Sequence, residues 1–215
     1  MNASQPPAPG EIELRRYFPT PVASRELPEA VVLNRALAPL ILARAAQTPG
    51  TQHSNLGGWQ SGWDFADWGG SEGKRVLDAA KALADTFTCD RDGRPVSIAW
   101  RLNSWANVNR SGHGNEFHTH PGSFWSGTYY VDDGGVGADP ALGGEFEIQD
   151  PRGVAPAMYA PLLCFNLPGG HSAGASELIR PRTGLMIIFP AWLSHAVRPY
   201  RGDRARISIA FNLSI

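Results

Sequence analysis

The chain has 215 residues, a formal net charge of −1, 24 glycines and 18 prolines. This length suits one domain with a full core, and the abundance of turn-forming residues favours many short strands. The near-neutral charge, without any basic run, gives no indication of a nucleic-acid or membrane-surface partner.

Targeting features are not evident in the sequence. We see no basic segment followed by an apolar core near Met1, and no apolar run approaches the roughly 18 residues of a membrane span. Cys89 and Cys164 are too few for a disulfide framework, so we expect reduced thiols in a cytoplasmic protein.

The N-terminal half is expected to be partly helical. Residues 1–10 are rich in proline and predict a disordered lead, and residues 11–215 predict a single domain. A helical pattern runs from Leu27 to Gln47, and Pro39 is expected to kink that helix or divide it in two. A second amphipathic helix is predicted from about Glu72 to Phe87.

Two long stretches have the composition of loops. Residues 54–70 contain Trp59, Trp63 and Trp68 among glycines, as in a substrate wall or lid, although aromatic anchoring of a loop to the core explains them at least as well. Residues 151–174 form a long connection of a kind that is usually functional or poorly ordered in a compact domain.

After Pro95 the pattern changes to strands separated by turns. The predicted strands are 96–105, 106–110, 117–120, 126–132, 144–149, 178–180, 185–190, 195–198 and 206–213. In the last of these, apolar residues alternate with polar ones, so Arg206, Ser208 and Asn212 are expected to share one face.

A His-x-His pair stands in the predicted strand 117–120. Residues i and i+2 of a strand point to the same face, so His118 and His120 can hold one metal ion. His195, at the end of another apolar run, is the best candidate for a third ligand. A lone strand histidine is more often a hydrogen-bonded or surface residue, and the pair by itself does not settle the matter.

The identity of the metal and of its remaining ligands stays open at this point. Imidazole suits Fe(II), Zn(II) and Cu(II), and an anionic 2-oxo acid would offset the charge of a site without a carboxylate. Glu116 is expected on the same face as a ligand, as a partner that fixes an imidazole tautomer, or as a solvated residue. His113, in a glycine-flanked turn, is a weaker candidate.

Arg206 strengthens the metal hypothesis. Its guanidinium can bind a carboxylate through two parallel hydrogen bonds, and Ser208 shares its face. A dicarboxylic 2-oxo acid on the metal would place its far carboxylate there. Arg204 falls on the same face but nearer the turn, and a surface salt bridge would be the simpler explanation for an arginine that stood alone.

The motifs, taken in order, resemble those of the 2-oxoglutarate/Fe(II)-dependent oxygenase superfamily, and within it a group of small oxygenases with a His-x-His…His…Arg-x-Ser pattern. The resemblance covers most of the chain. It rests on Tyr17–Val22, Ser54–Gln60, Trp105–Asn109, His118–Pro121, Ser126–Val131, Gly143–Phe146 with Asp150–Arg152, and Pro181–Gly184 through Phe189–His195 to Arg206–Asn212.

This resemblance implies a mainly β fold, a double-stranded β-helix or jelly roll with N-terminal flanking helices. It implies that His118 and His195 are metal ligands and that His120 replaces the usual Asp or Glu. Arg206 and Ser208 match a co-substrate motif, and Tyr130 resembles an aromatic residue that reaches the same carboxylate.

The implied function is that of an Fe(II)-dependent dioxygenase that couples decarboxylation of 2-oxoglutarate to hydroxylation of a small-molecule or peptide substrate by O₂. The sequence does not identify this substrate, and a homodimer is left open. The alternatives are a cupin-like three-histidine enzyme that does not use a 2-oxo acid, and a non-catalytic metal-binding jelly-roll module. The Arg206–Ser208 pairing favours the oxygenase.

Overall fold

The computed structural model describes residues 10, 12, 14, 17–153, 158–167, 170–172 and 174–215, with the backbone alone at 170–172. The lead predicted at residues 1–10 lies outside the described residues except for Gly10.

Three α-helices lie in the N-terminal half of the chain: α1 (Ala30–Gln47), α2 (Phe65–Trp68) and α3 (Gly70–Thr86). The first and third lie where the sequence predicts helices. Pro39 does not divide α1, because Leu37 and Ile41 continue one fully buried face across it. The short α2 lies in the tryptophan-rich stretch, where no helix was predicted.

The other named elements of the described chain are strands and a 3₁₀ turn at Pro140–Leu142. The strands are β1 (Ala23–Glu26), β2 (Asn55–Leu56), β3 (Trp59–Gln60), β4 (Arg101–Asn109), β5 (Gly114–His118), β6 (Trp125–Asp132), β7 (Phe146–Gln149), β8 (Phe165–Leu167), β9 (Gly170–Ser172), β10 (Ser176–Ile179), β11 (Leu185–Pro190), β12 (His195–Val197) and β13 (Arg206–Ser214).

Two antiparallel sheets form the body of the fold. One has the strand order β1-β11-β6-β13-β4-β3 and the other has the order β10-β7-β12-β5-β2, while β8 and β9 form a separate hairpin. The mainly β architecture with N-terminal helices is therefore as predicted. Among the strand boundaries that were wrong, two bear on the site: residues 101–109 form one strand, not two, and β5 ends at His118, before His120.

The larger sheet separates the helices from the inside of the sandwich. Helix α1 packs on β4 and β6, and α3 packs on β6 and β11. Along β13, the side chains of Ile207, Ile209 and Phe211 join the core on the helix side. The alternate residues, including Arg206 and Ser208, line a cavity between the two sheets, as the period of the strand predicts.

No helix in the described part of the chain combines the length and apolar character needed to cross a bilayer.

The packing of α1 can be tested with two identical substitutions on this helix. Leu37 is fully buried, and Leu40 is 38% exposed. Leu37→Ala is expected to lower the free energy of unfolding by about 2–5 kcal/mol because it leaves a cavity, and Leu40→Ala by roughly 1 kcal/mol or less. Urea denaturation followed by circular dichroism measures both, and equal losses would contradict the assigned face.

Candidate metal and co-substrate site

The cluster of three histidines is built by one strand pairing and one backbone hydrogen bond. His195 on β12 lies directly opposite His118 on β5, and their ring centroids are 4.3 Å apart. His120 follows the end of β5, where its N–H donates to the carbonyl of Ala191 at 2.8 Å. Its ring centroid is 4.9 Å from that of His118 and 5.1 Å from that of His195. One ring nitrogen from each histidine lies within 4.8 Å of the others, a group that could hold a metal ion.

Backbone carbonyls fix the tautomers of two of these rings. Nδ1 of His118 lies 2.8 Å from the carbonyl oxygen of Glu116, and Nδ1 of His195 lies 2.8 Å from that of Leu193. Because a carbonyl can only accept, each Nδ1 carries the proton and each Nε2 keeps a free lone pair. The hydroxyl of Ser54, 3.3 Å from Nε2 of His118, can donate to that lone pair.

The third ring has a side-chain partner instead. Nδ1 of His120 lies 3.4 Å from Nδ2 of Asn212, whose Oδ1 accepts a 2.7 Å hydrogen bond from the Ser126 hydroxyl. In this orientation the amide donates to Nδ1, which places the ring proton on Nε2. If the amide turns over, Oδ1 accepts the proton of Nδ1 and Nε2 is free, as in the other two histidines.

Burial keeps all three imidazoles neutral. Desolvation, followed by the nearby imidazoles of the cluster, lowers the pKa of His195 to about 3. Desolvation and the neighbouring His118 lower the pKa of His120 to about 4, and desolvation also lowers the pKa of His118. The neutral ring is the form that binds a metal ion, so this donor set fits a divalent metal at neutral pH.

A buried arginine lies in the same cavity. Arg206 is 2% exposed, and its Cζ lies 5.1 Å from the centroid of the Tyr130 ring. Within the described residues, Nε of Arg206 and the hydroxyl of Tyr130 have no hydrogen-bond partner. Ser208, also buried, lies directly opposite Tyr130 across β13 and β6. These three residues together form a polar end of the cavity.

The electrostatics of this end suit an anion. Desolvation lowers the pKa of the Arg206 guanidinium, because a buried cation without a carboxylate partner is unfavourable. Desolvation also raises the pKa of Tyr130, which keeps its hydroxyl protonated and able to donate. A carboxylate placed here would accept from the guanidinium and hydroxyl groups, so the residues present fit one end of a dicarboxylic acid.

The other charged or imidazole candidates lie elsewhere. Arg204 donates to both carboxylate oxygens of Asp132, at 2.9 and 3.1 Å, and its side chain is 63% exposed. Glu116 is exposed and does not join the three-histidine group. Nδ1 of His113 accepts from the backbone N–H of Arg110 at 3.0 Å, which stabilises a turn.

The tryptophans divide between the cavity and the body of the fold. Trp63 lines the cavity. The indole N–H groups of Trp59, Trp68 and Trp125 instead donate to Thr48, Asp64 and Thr88. The stretch 54–70 is thus partly cavity wall and partly anchored to neighbouring elements.

The cavity has a volume of about 460 Å³, within the usual range for ligand sites. Its lining also includes polar residues that the sequence did not single out, above all Asn103 and Asn107 on β4. Their alternation along residues 101–109 indicates one shared face, but the sequence prediction divided this strand after Trp105 and so did not place them together. Ser54 gave no local signal, because it meets His118 across 64 residues of chain.

Comparison with known proteins gives a family and a fold. A family model described as Putative 2OG-Fe(II) oxygenase matches residues 103–212. No curated protein sequence matches the chain.

Several solved structures share the fold. A prolyl-4-hydroxylase from Pseudomonas putida aligns with a TM-score of 0.60 and 16% identity, over 90% of this chain and 91% of that chain. A prolyl hydroxylase from Trichoplax adhaerens, in complex with a hypoxia inducible factor peptide fragment, aligns with a TM-score of 0.59 and 12% identity, over 90% of this chain and 83% of that chain. HygX from Streptomyces hygroscopicus, with nickel, 2-oxoglutarate and hygromycin B bound, aligns with a TM-score of 0.57 and 11% identity, over 91% of this chain and 83% of that chain.

At these identities the structural likeness shows the fold, which is the double-stranded β-helix that the sequence predicted. The family match spans just over half of the chain and includes the three histidines, Tyr130, Arg206 and Ser208. The chain belongs to the Putative 2OG-Fe(II) oxygenase family, and is an oxidoreductase that uses Fe(II) and 2-oxoglutarate.

Proposed function

We propose that His118, His120 and His195 hold the Fe(II) ion and that Arg206, Ser208 and Tyr130 bind the far carboxylate of 2-oxoglutarate. The observation that carries this proposal is the buried guanidinium of Arg206, which faces the same cavity as the three imidazoles. A metal ion alone would not require this cation, and a dicarboxylic acid that spans the two ends would use both.

The chain's own groups position the ligands of this site. The carbonyls of Glu116 and Leu193 orient two imidazoles and keep their Nε2 atoms unprotonated. Burial keeps the rings neutral, which is the form that binds a metal ion. When bound, the iron and 2-oxoglutarate supply the oxidising chemistry by which O₂ hydroxylates a substrate.

Charge balance favours an enzyme that binds 2-oxoglutarate over a three-histidine enzyme that uses no 2-oxo acid. Three neutral imidazoles leave a divalent metal uncompensated, and Arg206 adds a further positive charge. Among the described residues that line the cavity, none is Asp or Glu. A dicarboxylate opposes both positive centres, whereas a neutral co-reactant leaves Arg206 buried with no carboxylate partner in the described part of the chain.

The same proposal includes the substrate class, the domain organisation, the oligomeric state and the cellular compartment. The prime substrate is a peptide or a small molecule, residues 11–215 act as one domain, and the protein works in the cytoplasm as a monomer or homodimer. The exposed free thiols of Cys89 and Cys164 support a reducing compartment.

The activity can be tested directly. Protein purified without oxygen is mixed with Fe(II) and 2-oxoglutarate, air is admitted, and succinate is measured with and without a panel of peptides and small molecules. Succinate formation above the level of metal-free protein is expected, and its absence throughout the panel would count against the proposal.

The role of Arg206 is tested against that of Arg204. Arg206→Met is expected to weaken 2-oxoglutarate binding at least about 30-fold, because it removes a buried partner of the carboxylate worth roughly 2 kcal/mol or more. Calorimetry on the Ni(II)-loaded protein measures the affinity, and Arg204→Met, which removes an exposed partner of Asp132, should bind within about twofold of wild type.

The stability of the same variant makes the test independent of misfolding. Without 2-oxoglutarate, Arg206→Met should be at least as stable as wild type in urea, since it removes a buried charge that has no ion-pair partner among the described residues. A variant that unfolds more easily but binds 2-oxoglutarate normally would overturn the assignment.

The metal ligands are tested with a histidine outside the cluster as control. His195→Ala is expected to abolish stoichiometric Co(II) binding, because two imidazoles alone bind weakly. His113→Ala removes the contact with the Arg110 N–H, outside the three-histidine group, and should retain one Co(II) per chain. Visible absorption of the Co(II) protein reports both, and a full cobalt spectrum in His195→Ala would exclude that residue as a ligand.

Asn212 should support the third ligand. Asn212→Leu is expected to lower Co(II) affinity about 10–100-fold, because Nδ1 of His120 loses the group that orients the ring and fixes its proton. Asn212→Asp supplies an oxygen acceptor at the same position and should restore binding. If the Leu variant binds Co(II) as tightly as wild type, Asn212 has no positioning role.

A further inference from the structure

A row of polar groups along β4 faces the cavity but is not used by the proposed metal and co-substrate sites. Asn103, Trp105 and Asn107 alternate along the strand and therefore share its inner face. The structure gives their side-chain amide and indole N–H groups no hydrogen bond to any other residue that it describes. The row spans roughly 13 Å at the rise of a strand.

This row lies beside the proposed metal site. Across β4 and β13, Asn103 is paired with Asn212 and Asn107 with Ser208. The ring of Trp105 lies 5.8 Å from that of His120. A molecule held along β4 would therefore lie next to the three imidazoles and alongside a co-substrate bound on Arg206.

The lining of the cavity carries very little charge. Arg206 is the permanently charged residue among the described residues that line it, and these include no Asp, Glu or Lys. Carboxamides are abundant instead: Gln60, Asn103, Asn107, Asn109, Asn115 and Asn212. With a dicarboxylate already bound between the metal and Arg206, a further charged group would lose its hydration and meet no Asp, Glu or Lys among the described lining residues, whereas a neutral polar group would exchange water for amide partners.

An aromatic pair adds a flat face to this wall. The rings of His53 and Trp63 are stacked, with centroids 5.3 Å apart and an interplanar angle of 23°. Both line the cavity, and Trp63 is 60% exposed. An exposed indole in a cavity wall can cover the apolar face of an otherwise polar ligand.

We propose that the part of the prime substrate that enters this cavity is uncharged and carries hydroxyl or amide groups beside an apolar face. Its polar groups bind Asn103, Trp105 and Asn107, and its apolar face packs on Trp63. This inference rests on the proposed function, because we assign the row to the substrate from its position beside the proposed metal site. A neutral saccharide and a capped peptide both offer this chemistry.

The test compares ligands matched in size and differing in charge. Maltotriose and a capped neutral tripeptide form the two neutral arms, and each is accompanied by an anionic and a cationic counterpart of the same length. Each ligand is titrated by calorimetry into the full chain loaded with Ni(II) and 2-oxoglutarate. Substrate-dependent succinate is then measured with the Fe(II) protein.

We expect one neutral arm to bind at least tenfold more tightly than its charged counterparts, and the arm that binds identifies the saccharide or peptide source. A charged member that binds tenfold more tightly than its neutral counterpart overturns the inference. So does the failure of both neutral arms to bind at millimolar concentration. Failure of the proposed function is distinguished by the loading step, because 2-oxoglutarate itself would then not bind to the metal-loaded protein.

A charge introduced into the row gives a second readout. Asn103→Asp keeps the size of the side chain. It should lower the affinity for the preferred neutral ligand about tenfold and raise the affinity for its cationic counterpart. Gln47→Glu makes the same amide-to-acid change at an exposed position in α1 and should leave both affinities unchanged. Equal ligand affinities in Asn103→Asp and wild type would remove β4 from the substrate site.

Discussion

The register between β12 and β5 is the constraint on which the site depends. Side chains alternate with a period of two, so a slip of one residue would carry His195 to the other face of the sheet and away from His118. On its other edge β12 is held by β7, where His195 is paired with Ile148 and the N–H of Gln149 donates to the carbonyl of Ser194. The short β12 is thus aligned from both sides, although it contributes only three residues.

Given this register, the electrostatics follow from the composition of the cavity. In the proposed site His120 takes the position at which the resemblance implies a carboxylate, so a metal held there would receive only neutral donors. Arg206 then adds a buried positive charge at the other end. Neither charge is opposed by an acidic side chain among the described lining residues. A bound anion is therefore stabilised more than in a site that has its own carboxylate, and in the proposed function the co-substrate is this anion.

The sequence predicted those parts of the site that lie within one strand. The alternation along β13 gave the inward face of Arg206 and Ser208, and the His-x-His spacing gave two neighbouring imidazoles. It could not predict contacts that depend on the packing of distant segments, such as the approach of Ser54 to His118. His120 was assigned to a strand that ends two residues earlier, and the Ala191 carbonyl, which local periodicity cannot reveal, keeps it in place.

The cavity becomes deeper along β4 and β13 together, from the pair Asn103 and Asn212 to the pair Asn109 and Arg206, and this gradient bears on how two ligands can share it. Arg206 is 2% exposed, whereas Asn103 is exposed, so the end at which we propose that the co-substrate binds is the deeper one. A molecule lying along β4 from Asn103 to Asn107 would occupy the shallower part of the cavity, because Arg206 is paired with the buried Asn109 beyond it. The geometry therefore favours entry of the dicarboxylate before the larger substrate. Substrate binding would then remove remaining water from around an anion already in place, which strengthens its hydrogen bonds to the buried guanidinium.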